Sequence, residues 1–240
     1  MKLLFCYKNL QKSNIYFFKV LTNAGGALES VSDLYHSTII KQNLNQKIDE
    51  TTILKNLNSA LKKDDSISNL RLAFNLAATL KSGANEIFDR IEDVIVQADE
   101  INAKLLQFEG GLSTTAGIIT GAYALAKKVA KPPSISKSQA VKFANYFLTR
   151  KNIQDVKGAY ELLQALSTFA SNDFHIPVAV TLSSTTSVSE ANPVVKIEVT
   201  DIMGGSLGPM SVQIGKPQCG KMKKKSIPKL FLFDKFQILQ

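Results

Sequence analysis

The sequence predicts an α+β protein: an N-terminal α/α helical array, superhelix-like in its run of short helices, followed by a short and incomplete antiparallel β-sandwich segment. Two observations carry this. Apolar residues recur at helical spacing through the first two-thirds of the chain. After residue 172 the period shortens to two, and Ser/Thr and Gly/Pro turns separate the runs. The 240 residues, 45% hydrophobic, suffice for one large domain or two small ones with a proper core.

The elements follow in order. SNIYFFKVLTNAGG stops at Asn23 and Gly25-Gly26. SVSDLYHSTIIKQN spaces Val31, Leu34, Tyr35 and Ile39 helically, and DETTILKNLNSALKK puts Ile53, Leu54, Leu57 and Leu61 on one face. SISNLRLAFNLAATLKSG repeats the pattern with Leu70, Phe74, Ala77 and Ala78 and ends at Gly83. ANEIFDRIEDVIVQADEINAKLLQF is the longest pattern, with Ile87, Ile91, Val94, Ile95, Ala98, Ile101 and Leu105 apolar, and predicts one long amphipathic helix.

In LLQFEGGLSTTAG, Gly110-Gly111 then caps that helix in a left-handed conformation. Ser113 is placed to cap the small-residue helix TTAGIITGAYALAKKVA. Lys127, Lys128 and Lys131 suit its C-terminal end, and Pro132-Pro133 stops it. The stretch is therefore expected to be a helix–helix corner. It lacks the G-x-x-x-x-G-K-[ST] string of a phosphate-binding loop and the G-x-S-x-G of a nucleophile elbow.

Ser136 and Gln139 form a capping box that opens a helix with Val141, Ala144 and Leu148 inward. Asn152 is placed to cap IQDVKGAYELLQALSTFAS, with Val156, Tyr160, Leu163 and Leu166 inward. HIPVAVTLSS, NPVVKIEVTDI and SLGPMSVQIG supply three short strands, and a sheet of that size leaves an apolar face to be covered. GKPQCGKMKKKSIPKLFLFDKFQILQ is expected to be a disordered solvated tail, a membrane-surface segment, or not native coding sequence.

The net charge of +9 sits at the ends. Lys2, Lys8, Lys12 and Lys19 stand without an acid in residues 1–20, and seven lysines oppose Asp234 in 216–240, which leaves 21–215 at −1. A nucleic-acid binder carries its basic stripe on a folded face, so no nucleic-acid partner is expected. Cys6 and Cys219 with His36 and His175 make no metal or redox spacing. No run is apolar enough for a membrane span. Lys8 interrupts the apolar start before the hydrophobic stretch of a signal peptide is complete.

FDRIEDVIVQADEINAKLLQFEGGLSTTA, AYALAKKV, KPPSISKSQAVKFANYFLTRKN, NDFHIPVAVTLSS and NPVVKIEVTDIMGGSLGPMSVQI together resemble ribophorin II over roughly residues 14–214. That family is subunit 2 of the oligosaccharyltransferase, which transfers a preassembled glycan en bloc from dolichyl diphosphate to asparagine of nascent proteins. The resemblance implies a non-catalytic accessory subunit at the luminal face of the endoplasmic reticulum membrane. Its partners would be other subunits, with the nascent polypeptide as a further candidate. It implies residues 1–13 unmatched, a helical luminal domain over 14–172, a partial β-sandwich over 173–214 and an unmatched tail over 215–240. The resemblance leads to the expectation of a partial chain, with no counterpart expected here to the family's signal peptide and C-terminal membrane helices.

No catalytic, cofactor-binding or metal-binding residue is expected. Glu92 and Asp93, like Asp99 and Glu100, read as a solvated face, and His36 and His175 as structural. The expected contact surface is the small-residue helix at Ala122 and Ala126, together with the half-covered sheet. The rival class is a soluble helical-repeat adaptor for a protein or peptide partner.

Overall fold

The computed structural model describes residues 29–81, 83–182 and 197–207. The expected helix at SNIYFFKVLTNAGG, most of the third strand run and the basic tail lie outside the described residues. The chain is α+β and divides into two compact units, Met1–Ala165 and Leu166–Gln240.

In the first unit, α1 (Val31–Asn43) starts where Ser30 Oγ accepts a bond from the Asp33 amide at 3.0 Å. Asp49 caps α2 (Glu50–Lys63), accepting from the amide and hydroxyl of Thr52 at 3.2 and 2.6 Å. Those bonds favour the charged form and hold its carboxyl below the usual carboxylate range. α3 (Ile67–Thr79) packs on both helices, burying Leu34, Leu57, Leu61, Leu70 and Phe74.

The long helix expected from Ala84 to Phe108 is absent. Its place is taken by two single-turn helices, α4 (Ala84–Phe88) and α5 (Ile91–Ile95), then a hairpin of β1 (Asp99–Ile101) and β2 (Leu105–Gln107). Ile87, Ile91, Val94 and Ile95 are buried as the pattern required. The helix fails beyond them because Asn102 and Ala103 both take left-handed backbone, at φ 52° and 55°, and reverse the chain. The Lys104 amide closes this turn onto Ile101 O at 3.1 Å.

The hairpin delivers Phe108 into the core, where it stacks on Phe143 with centroids 5.5 Å apart. Gly110 and Gly111 are left-handed as expected, at φ 89° and 69°. They join a strand to a helix, however, so the expected helix–helix corner is a hairpin–helix joint. α6 (Gly111–Val129) begins before Ser113, which is therefore not its cap. Thr115 instead locks the joint: its hydroxyl accepts from the Phe108 amide at 3.0 Å and donates to Gly111 O at 2.8 Å.

The most extensive helix contact among the described residues is α3 on α6. Gly121 permits it. A β-carbon there would stand 2.7 Å from Phe74 Cβ and 3.2 Å from the Asn75 backbone nitrogen. Glycine to alanine inside a helix ordinarily gains about 0.5–1 kcal/mol. Gly121→Ala is expected to lose stability instead, by about 1–3 kcal/mol of overpacking. Urea denaturation measures it, and a gain would refute this close approach. Asn75 Nδ2 bridges the same helices to Gly117 O at 2.8 Å. Lys128 Nζ donates to Ala77 O at 3.1 Å and Ala78 O at 3.4 Å, placing a cation on the carbonyl end of α3. Burial lowers the pKa of this amine.

Left-handed Ala130 ends α6 ahead of Pro132. The expected capping box opens α7 (Lys137–Thr149), with Ser136 Oγ accepting from Gln139 N at 3.2 Å and Gln139 Oε1 from Ser136 N at 2.8 Å. α7 holds the hairpin through Lys142 and Glu100 at 2.7 Å. Asp155, not Asn152, caps α8 (Val156–Ser171), accepting from Gly158 N at 2.7 Å. The expected face of α8 is also reversed. Val156, Tyr160 and Leu163 are 87%, 61% and 52% exposed, and Leu162, Ala165 and Phe169 are buried in their place.

In the second unit, β3 (Val178–Leu182) pairs antiparallel with β4 (Ile197–Asp201), Val180 opposite Val199, and Ser206 bridges Thr200. Asn172 builds the corner before β3. Its Oδ1 accepts from the amides of Phe174 and His175 at 2.8 and 2.6 Å, and its Nδ2 donates to His175 O at 2.7 Å.

Candidate functional site

The chemistry-bearing side chains are dispersed. Glu92 and Asp93 are exposed on α5 and Asp99 on β1, while Glu100 pairs with Lys142. His36 is exposed with its ring 5.2 Å from that of Tyr35, and His175 occupies the Asn172 corner. Among the described residues no three His, Cys, Asp or Glu side chains gather closely enough to hold a metal ion.

Part-buried polar groups connect helices instead. Ser113 Oγ accepts from Arg71 Nη1 at 3.1 Å and donates to Glu161 Oε1 at 2.9 Å, so one hydroxyl ties α3, α6 and α8 together. Sequence spacing gave no sign of this, because the partners lie 42 and 48 positions away. Tyr123 is buried on α6, and burial pushes its phenol above the usual range.

Ala122 and Ala126 are fully buried, at 0% exposure. The contact surface expected at them is therefore inside the chain's own core, where small side chains let α6 pack closely. Exposed large apolar side chains lie elsewhere, singly at Val96, Ile176 and Met203 and as a group on α8. Val156, Tyr160 and Leu163 recur at i, i+4 and i+7 and form a stripe along one helical face.

A second feature escaped the sequence. An open cleft of about 430 Å³ lies at the start of α6, lined by Gly111 and Leu112, by Tyr146 and Thr149 of α7, by Arg150 that caps it, and by Asn152 and Ile153 beyond. Tyr146 is 1% exposed and its hydroxyl has no hydrogen-bond partner. The Arg150 guanidinium lies over its ring, 5.1 Å from the centroid.

Part-buried polar groups bind helix to helix, and an apolar stripe stays exposed on α8, in a chain of the α+β class. The chain belongs to the ribophorin II family: residues 2–170 match the family described as "Ribophorin II N-terminal domain". The match takes in nearly all of residues 1–13, which the segment-by-segment resemblance had left out, and it ends ahead of the strands of the second unit.

Two relatives agree. One is "Dolichyl-diphosphooligosaccharide--protein glycosyltransferase subunit swp1" of Dictyostelium discoideum, 31% identical over 121 residues, which are 49% of this chain and 17% of that protein. The other is "Dolichyl-diphosphooligosaccharide--protein glycosyltransferase subunit 2" of Oryza sativa subsp. japonica, 22% identical over 158 residues, 65% of this chain and 23% of that protein. The chain thus spans less than a quarter of the length of these curated relatives.

Proposed function

We propose that this chain is an accessory part of the oligosaccharyltransferase, acting in N-linked glycosylation in the endoplasmic reticulum. The observation that carries the reading is the family match over residues 2–170, with relatives named as subunits of the dolichyl-diphosphooligosaccharide glycosyltransferase. Catalysis would lie in another subunit. This one would support assembly at the luminal face and offer a contact to the nascent polypeptide. The exposed stripe on α8 supports a binding role, because a neighbouring subunit that covers Val156, Tyr160 and Leu163 removes apolar surface from water. No helix among the described residues is long and apolar enough to cross a membrane.

The test is co-purification. The tagged chain, delivered to the endoplasmic reticulum, is recovered from digitonin-extracted microsomes and its companions are identified by mass spectrometry. It should bring down the other transferase subunits. A Val156→Asp, Tyr160→Asp pair should cut that recovery at least tenfold. Each exposed substitution should change stability by no more than about 0.5 kcal/mol. Recovery of only soluble proteins by the native chain would reject the assignment in favour of an adaptor. Full recovery by the double variant would remove α8 from the interface.

A further inference from the structure

α8 carries two apolar stripes. Val156, Tyr160 and Leu163 are turned to solvent, and Leu162, Ala165 and Phe169 are buried. At about 3.6 residues per turn the two stripes lie on nearly opposite faces of the helix. The gain from apolar burial scales with the area removed from water. Three large side chains stand on the solvent side and two on the buried side, so apolar burial alone does not select the orientation observed.

Polar bonds supply the choice. Those within the chain's own α8 segment do not: Asp155 on the Gly158 amide, and Lys157 beside Glu161 at 3.9 Å, turn with the helix whichever way it faces. The bond from Ser113 does. Arg71 can only donate, so the Ser113 hydroxyl accepts from its Nη1 at 3.1 Å and directs its own proton to Glu161 Oε1 at 2.9 Å. Arg71 is itself held in place. Its stem crosses α6 at Gly117, where a β-carbon would stand 2.6 Å from both Cγ and Cδ. The donor side of this relay is thus fixed on α3 and α6, and the acceptor is on α8. Glu161, with its side chain only 19% exposed, lies nearer the buried stripe than the solvent one. Turning α8 over would swing that carboxylate away from Ser113.

From this geometry we infer that the Arg71–Ser113–Glu161 relay sets the rotation of α8 and so decides which apolar stripe a partner meets. Ser113 and Glu161 are positioning residues that act through Val156, Tyr160 and Leu163. The rotation of α8 is a property of the chain alone, and only its bearing on a transferase subunit rests on the function proposed above.

Hydroxyl-radical footprinting of the full 240-residue chain, read by mass spectrometry, reports both stripes at once. In the native chain Tyr160 and Leu163 should label, and Leu162 and Phe169 should be protected. Ser113→Ala and Glu161→Ala each remove a hydrogen bond to a charged group, which should shift the balance between the two orientations about tenfold or more. Labelling should fall at Tyr160 and Leu163 and rise at Leu162 and Phe169, with the helical circular dichroism retained. Glu161→Gln keeps an acceptor oxygen for Ser113 and should keep the native pattern. The inference is overturned if both alanine variants label as the native chain does, if Glu161→Gln loses the native pattern, or if labelling rises on both stripes together, as it would in a helix that merely loosens or unfolds. Reciprocal labelling with undiminished recovery of the other transferase subunits would uphold the relay and refute the α8 interface instead.

Discussion

Ala122→Arg is expected to unfold the helical unit. Ala122 has no exposed surface, so the new guanidinium would enter the packed core without a partner. An unpaired buried charge costs several kcal/mol, and forcing the stem into a filled space adds about 1–3 kcal/mol. Their sum approaches the whole stability of an ordinary domain, about 5–15 kcal/mol. Ala124→Arg is the control on the same helix: Ala124 is exposed, and its replacement should shift stability by no more than about 0.5 kcal/mol. Thermal unfolding by circular dichroism separates the two. A cooperative native-like melt for Ala122→Arg would show that α6 is not buried where the structure puts it. The same pair guards against a false conclusion, since lost co-purification in Ala122→Arg would report unfolding rather than a lost interface.

Phe108→Ala should cost about 3–5 kcal/mol, the usual range for deleting a fully buried phenylalanine ring. The ring links the end of the hairpin to α7 through its stack on Phe143. Its backbone amide, bonded to Thr115, would survive the substitution. The damage should therefore be uneven. In hydrogen exchange the amides of Asp99–Gln107 should lose protection well before those of α3 and α6. A loss below about 1 kcal/mol, or protection lost equally everywhere, would mean that the hairpin is held by Glu100, Lys142 and the turn rather than by the ring.

These two residues mark what the sequence could and could not convey. Helical spacing located α1, α2, α3 and α7, whose apolar residues recur along one face, while α6, buried around most of its circumference, was marked by the glycines before it and the prolines after it. Caps built from adjacent residues were legible too, as with Ser136 and Gln139. The hairpin was not, since Ile87 through Ile95 keep helical spacing and the reversal depends on two residues, Asn102 and Ala103, taking left-handed backbone. Asparagine tolerates that conformation and was the one available signal; alanine gave none. On α8 two apolar stripes compete, Val156–Tyr160–Leu163 and Leu162–Ala165–Phe169, and periodicity cannot say which one the rest of the chain covers. The cleft was illegible for a third reason. It joins Gly111 to Tyr146 and Ile153, and only the packing of α6 on its neighbours creates it.

The pairing of α3 with α6 also sets a clock for the newborn chain. Arg71 and Asn75 must wait for partners 42 positions downstream, and Ala77 for Lys128, 51 positions on. At about 5–20 residues per second of synthesis, the apolar side of α3 emerges roughly 2–10 s before the helix that will cover it. Helix formation itself takes about a microsecond. Throughout that interval the side of α3 that α6 will cover lacks that cover, and whatever shelters it then, the earlier helices or a chaperone, decides whether the chain matures or clumps.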